Sequence, residues 1–164
     1  MPIPVFPPLP TPTPVPAPPQ LRGLETNLTA GAGGTVADGF PIPFNNLISN
    51  NALGASFVTG AVTLTKSGTY LVNWWVAPEI SAAAEETGSA TAGQVSEEIS
   101  FAVSVNGQIV SGSCAPVGTG QVSGSTLITV TSAPTTVQIV NDSGENVILS
   151  SVSAQAGMTI VQFA

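Results

Sequence analysis

The chain has 164 residues, nine acidic and two basic, for a formal net charge of −7. Arg22 and Lys66 are its only cations and it has no histidine, which excludes phosphate-neutralising nucleic-acid binding, attraction to anionic membranes and imidazole-based catalysis or zinc binding. Charged residues are 7% and hydrophobic residues 43%, against roughly 25% charged in a typical soluble domain, so part of the surface is expected to be covered by other subunits.

The length suits one domain with a real core. Ten of the fifteen prolines fall in residues 1–20. Proline fixes φ and removes a donor, so this stretch reads as an extended polyproline II arm, with a reach of roughly 60 Å at about 3.1 Å per residue. Ile3, Val5, Phe6 and Leu9 give it an apolar tip, and residues 10–19 alternate proline with Thr, Val and Ala as a stiff spacer. The stretch has neither the positive start nor the unbroken apolar run of a secretory signal, and no run approaches a membrane span. The expectation is a protein without an export signal.

Residues 21–34 (LRGLETNLTAGAGG) read as a Gly-containing junction. Beyond it, Thr/Val-rich runs separated by Gly, Asn and Ser predict strands near 35–37, 41–45, 55–65, 69–77, 98–106, 108–113, 121–131, 135–141, 146–152 and 157–163. VNG (105–107) and DSG (142–144) are turn sequences. This spacing predicts an antiparallel sandwich or barrel. In FAVSV, Phe101, Val103 and Val105 share one face; Val137 and Ile139 do the same in TVQIVN. YLVNWWVA (70–77) breaks the pattern, with Tyr70, Val72, Trp74 and Val76 on one face and Leu71 and Trp75 on the other. A strand apolar on both faces is buried on both, and in a two-layer sandwich another subunit or segment must cover the outer one. Residues 79–98 hold five of the nine acids and read as an exposed loop with a helical turn at 82–86.

Few groups carry chemistry. GTGQVSG (118–124) lacks the Lys-Ser/Thr of a phosphate loop and reads as a turn. Glu85–Glu86 and Glu97–Glu98 lack the spacing of a calcium loop, so no metal and no cofactor is implied. Cys114, the one cysteine, leaves open an intersubunit disulfide. Asn27-Leu28-Thr29 and Asn141-Asp142-Ser143 match the N-glycosylation pattern. Trp74 and Trp75 point to opposite faces of a strand, so they do not form one sugar-stacking platform; one belongs to core and the other to an interface.

AVTLTKSGTYLVNWWVAP (61–78), ISFAVSVNGQIVSGS (99–113), QVSGSTLITVTSAPTTVQIVNDSG (121–144) and FPIPFNN (40–46) resemble the C-terminal domain of the collagen-like exosporium glycoproteins of Bacillus. The resemblance covers roughly residues 35–163. It implies an all-β, tumour-necrosis-factor-like antiparallel jelly roll that forms homotrimers on a spore surface, exosporium or coat. Tyr70, Val72, Trp74 and Trp75 are then expected in the core or at the trimer interface. The Gly-X-Y stalk of that family is missing, and the proline-rich arm stands in its place. In this respect the chain resembles subunits of spore appendage fibres, in which an N-terminal connector of one trimer docks into the next. The implied division is a connector arm (1–20), a junction (21–34) and a jelly roll (35–164). Ile3, Val5, Phe6 and Leu9 would dock between trimers. The implied partners are other copies of the chain and, further, a spore-surface anchor protein, and the implied role is non-enzymatic. The alternative is a trimeric binding head for a carbohydrate or receptor, tethered by the arm.

Overall fold

The computed structural model describes Met1 and residues 22–29, 31, 34–51, 54–79, 98–116 and 120–163. The expected helical turn at 82–86, the docking residues Ile3, Val5, Phe6 and Leu9, and the rest of the arm lie outside them. The described elements are twelve strands: β1 Arg22–Thr29, β2 Thr35–Val36, β3 Asn46–Asn50, β4 Ala55–Val58, β5 Ala61–Leu64, β6 Gly68–Val76, β7 Glu98–Val105, β8 Gln108–Pro116, β9 Val122–Val130, β10 Thr135–Asn141, β11 Val147–Ile148 and β12 Ala154–Phe163. One sheet has the order β3-β1-β12-β6-β9, the second β4-β5-β10-β7-β8, and β11 and β2 form a short ribbon. Paired strands are antiparallel throughout. The all-β expectation therefore holds.

The inner faces meet in one core. The first sheet contributes Leu24, Leu28, Tyr70, Val72, Trp74, Val76, Met158 and Ile160; the second contributes Val62, Leu64, Phe101, Val103, Val137 and Ile139. Trp74 of the first sheet meets Phe101 of the second edge to face, with ring centroids 6.5 Å apart and planes at 70°. That geometry places the positive ring edge on the negative face and ties the two layers. Ile42 and Phe44 close one side of the core, both fully buried.

The sequence expectations differ from the structure at five places, one of them β3, which falls between the predicted strands 41–45 and 55–65. The junction read over 21–34 contains β1, which pairs with β12 along its length and with β3 on its other side. Its inward residues Leu24, Thr26 and Leu28 keep the period of two. Its outward residues Gly23, Glu25 and Asn27 are types depleted in strands, and they mask the signal. Residues 41–45 are not a strand. Pro41 and Pro43 have no N–H to donate, so this run makes a bridge between Pro41 and Val140 and a bond from the Ile42 N–H to the Ile139 carbonyl. The single strand read over 55–65 is a hairpin, β4 and β5, turned at Thr59-Gly60, where Gly60 has φ 77°. The strand read over 146–152 shrinks to β11 and a bridge from Leu149 to Pro78. The VNG turn is as expected: Asn106 (φ 51°) and Gly107 (φ 80°) both take the left-handed conformation that a two-residue hairpin requires.

The strands run between two distinct ends. β1 starts and β12 finishes at the root end, next to the start of β6. The β2–β11 ribbon and segment 77–79 lie at the opposite, ribbon end, joined by bonds from the Glu79 N–H to the Ile148 carbonyl and from the Ser150 N–H to the Ala77 carbonyl.

Trp74 fits because its cross-strand partner is Gly124. A Cβ at Gly124 would stand 2.6 Å from Trp74 Cζ2, inside van der Waals contact. Gly124→Ala should cost about 1–3 kcal/mol through overpacking, read as a lower midpoint in urea unfolding; an unchanged midpoint would show that the indole is free to move.

Candidate interface on the first sheet

The outward positions of the first sheet follow from its register. Across β1, β12, β6 and β9 they run Asn27–Gly157–Trp75–Ser123, then Glu25–Thr159–Asn73–Ser125, then Gly23–Val161–Leu71–Leu127. Phe163, Thr69 and Thr129 form the row nearest the root end. Glu25 is the one charged residue among these positions.

Val161, Leu71 and Leu127 are direct cross-strand neighbours, at the separation where side chains on one face touch. Leu127 is 63% exposed and Phe163 44%, so this apolar row is open. Trp75 is half-buried at the other end of the face, lying over Gly157, where a Cβ would collide with the indole. The second sheet differs. Its exposed apolar residues, Val58 on β4 and the neighbours Ile109 and Val110 on β8, sit on the two opposite edges. Gln138 and Ser104 lie between them, so they form no continuous patch.

The expected site residues divide as alternation requires. Tyr70, Val72 and Trp74 are buried in the core of their own chain; only Trp75 reaches the outer face. The Tyr70 hydroxyl donates to the Lys66 carbonyl at 2.9 Å, and burial raises its pKa above the usual phenol value. Cys114 is exposed on β8, with Ser100 of β7 opposite. The turn read over 118–124 gives way to strand from Val122. Of the four glutamates considered for calcium, only Glu98 is among the described residues, where it opens β7.

Beside β1 at the root end is an open depression of about 220 Å³, lined by Arg22, Leu24, Glu25, Ser49, Asn51 and Val161 among others. It continues the apolar row past Val161. Arg22 and Glu25 at its wall give it a mixed polar rim.

Asn141 is a structural residue rather than a glycan acceptor. It is fully buried. Its Nδ2 donates to the Val36 carbonyl at 3.0 Å and the Glu145 carbonyl at 2.7 Å, and its Oδ1 accepts from the Ser143 N–H at 3.1 Å. These bonds hold the β2–β11 ribbon to the end of β10. Asn27, the other candidate acceptor, takes a bond from Asn46 Nδ2 at 2.9 Å.

No family model matches the sequence, and no curated protein matches it. Solved structures do resemble the fold. Murine APRIL at pH 5.0 matches with a TM-score of 0.63 at 10% identity, over 88% of this chain and 100% of that one. The fold is a TNF-like jelly roll. Eiger TNF from S. frugiperda matches at 0.61 with 10% identity, over 88% and 93% of the two chains. PRD1 vertex protein P5 matches at 0.58 with 15% identity, over 87% and 97%. β1, which precedes residue 35, is itself part of the first sheet, between β3 and β12. The narrower resemblance to exosporium glycoproteins finds no matching family model.

Sequence reasoning found Leu71 and Trp75 as outward apolar residues but missed Leu127, Val161 and Phe163. Leu127 sits among outward Ser123, Ser125 and Thr129 on β9, and Val161 and Phe163 follow outward Gly157 and Thr159 on β12, so only the register brings the three together. Asn141→Ala should leave the Val36 and Glu145 carbonyls without their donor and lower the unfolding free energy by about 1–3 kcal/mol, measured by denaturant titration. Retained stability would show that the ribbon is held by other contacts.

Proposed function

We propose that the chain is a non-enzymatic structural subunit that self-associates through the outer face of its first sheet and is linked into a fibre by its proline-rich N-terminal segment. The observation that carries this reading is the nearly uncharged face with the open row Leu127–Leu71–Val161. Apolar surface gathered in one place and rimmed by neutral polar groups marks a protein contact. A homotrimer is the proposed state: each copy covers part of the next around a closed threefold ring, and burying the row removes it from water.

The segment 1–21 joins the fold at Arg22, at the root end. β12 has ten residues, or about 33 Å at roughly 3.3 Å per residue. The arm's reach of roughly 60 Å in polyproline II form exceeds that length, which supports a role between stacked trimers. A stiff segment loses little entropy on docking, and three arms per trimer sum weak contacts. In this reading Ile3, Val5, Phe6 and Leu9 dock in the adjacent trimer, with Phe6 as the main anchor. In this reading the fibre stands on a spore surface with an anchor protein at its base, supported only by the likeness of segments 61–78, 99–113 and 121–144 to exosporium glycoproteins.

Two measurements test the reading. Leu127→Glu should sediment as a monomer while its unfolding free energy stays within about 0.5 kcal/mol of the parent, as expected for an exposed site; an unchanged particle mass would sink the interface. Negative-stain electron microscopy of the full chain should show beaded filaments, and the chain lacking residues 1–20 should give separate compact particles. Phe6→Ala should weaken filaments and keep trimers. Separate particles from the full chain would favour a tethered binding head instead.

A further inference from the structure

The strands sort the charges along their own axis. Both cations of the chain are at the root end. Arg22 opens β1 opposite Gln162, and Lys66 lies in the connector before β6, exposed, its carbonyl taking the Tyr70 hydroxyl bond. Five acids are at the ribbon end, all exposed. Asp38 accepts the Gly144 N–H on Oδ1 at 2.8 Å. Glu79 is bonded through its N–H to the Ile148 carbonyl, and Asp142 through its N–H to the Ser100 carbonyl. Glu98 opens β7, and the Glu145 carbonyl accepts from Asn141. Glu25, the remaining acid among the described residues, shares the wall of the root-end depression with Arg22, so the described side-chain charges there, two positive and one negative, sum to +1, against five negative charges at the ribbon end.

We propose that stacking of this chain is polar and electrostatically directed, with the basic root end of one copy docking on the acidic ribbon end of the next. This rests on the fibre reading and specifies its partner surface and direction. Two ribbon ends brought together place like charges face to face, and so do two root ends. Only root on ribbon brings unlike charges together. A threefold ring would present each charge three times on one rim. Exposed charges are screened over about 10 Å at 0.1 M salt, so they set encounter rate and orientation more than final affinity. The division of labour is consistent: the charges choose the direction, and the apolar tip of the arm, whose root is at the basic end, supplies the hold.

The test is elongation of preformed filaments by full-length protein, followed by light scattering across a sodium chloride series. Raising salt from about 20 mM to about 500 mM should slow elongation roughly tenfold or more. Lys66→Glu should show a similar loss at low salt and converge with the parent at high salt. The double variant Lys66→Glu/Glu79→Lys, which exchanges charge between the ends, should recover elongation at low salt. The salt series on the parent chain does not depend on any variant folding. Filaments whose elongation ignores both salt and Lys66→Glu would overturn the directed docking and leave the fibre reading standing. A full chain that forms no filaments would overturn both.

Discussion

The register of β6 is the constraint on which the other features depend. This strand is apolar on both faces, and each of its adjacent tryptophans lies over a glycine directly opposite on a neighbouring strand. Trp74 lies over Gly124 of β9 on the inner face, and Trp75 over Gly157 of β12 on the outer face. A slip of one residue would send Trp74 outward and Trp75 into the core, and each indole would meet a side chain where it now meets none. The two glycines therefore lock β6 from both sides. With β6 locked, Leu71 falls in line with Val161 and Leu127, and Trp74 reaches Phe101 across the core.

The surface that results is unusual in its sorting. The first sheet presents a nearly uncharged face, the second a polar middle between isolated apolar edges, and the charges collect at the two ends. A molecule so arranged has sides suited to burial and ends suited to recognition. That is the distribution a stacking subunit requires, because lateral contacts want desolvation and axial contacts want direction. The same fold in murine APRIL and PRD1 vertex protein P5 shows that the jelly roll alone implies no single role.

Much of the fold was legible in local pattern. Phe101, Val103 and Val105 alternate as half-buried strand residues should, Asn106-Gly107 is a hairpin turn by conformation, and the neighbours Trp74 and Trp75 had to part. The failures have identifiable causes. β1 was hidden because its outward residues are poor strand formers, although Leu24, Thr26 and Leu28 kept the inward period. Pro41 and Pro43 interrupted a run that is otherwise apolar enough for a strand. Gly60 turned one long run into a hairpin.

The sequence by itself determined the all-β class, the inward faces of the longer strands and the low charge that calls for a covered surface. These follow from the period of two and from composition, both of which are local. The open row on the first sheet was decided only by tertiary structure, because residues 71, 127 and 161 meet through the order β12-β6-β9, which no local pattern encodes. The role of Asn141 was decided there too, since its partners Val36 and Glu145 lie in separate segments. So was the division of charge between the ends, because antiparallel pairing alone places the start of β1 beside the finish of β12 and gathers Asp38, Glu79, Glu98, Asp142 and Glu145 at the far end.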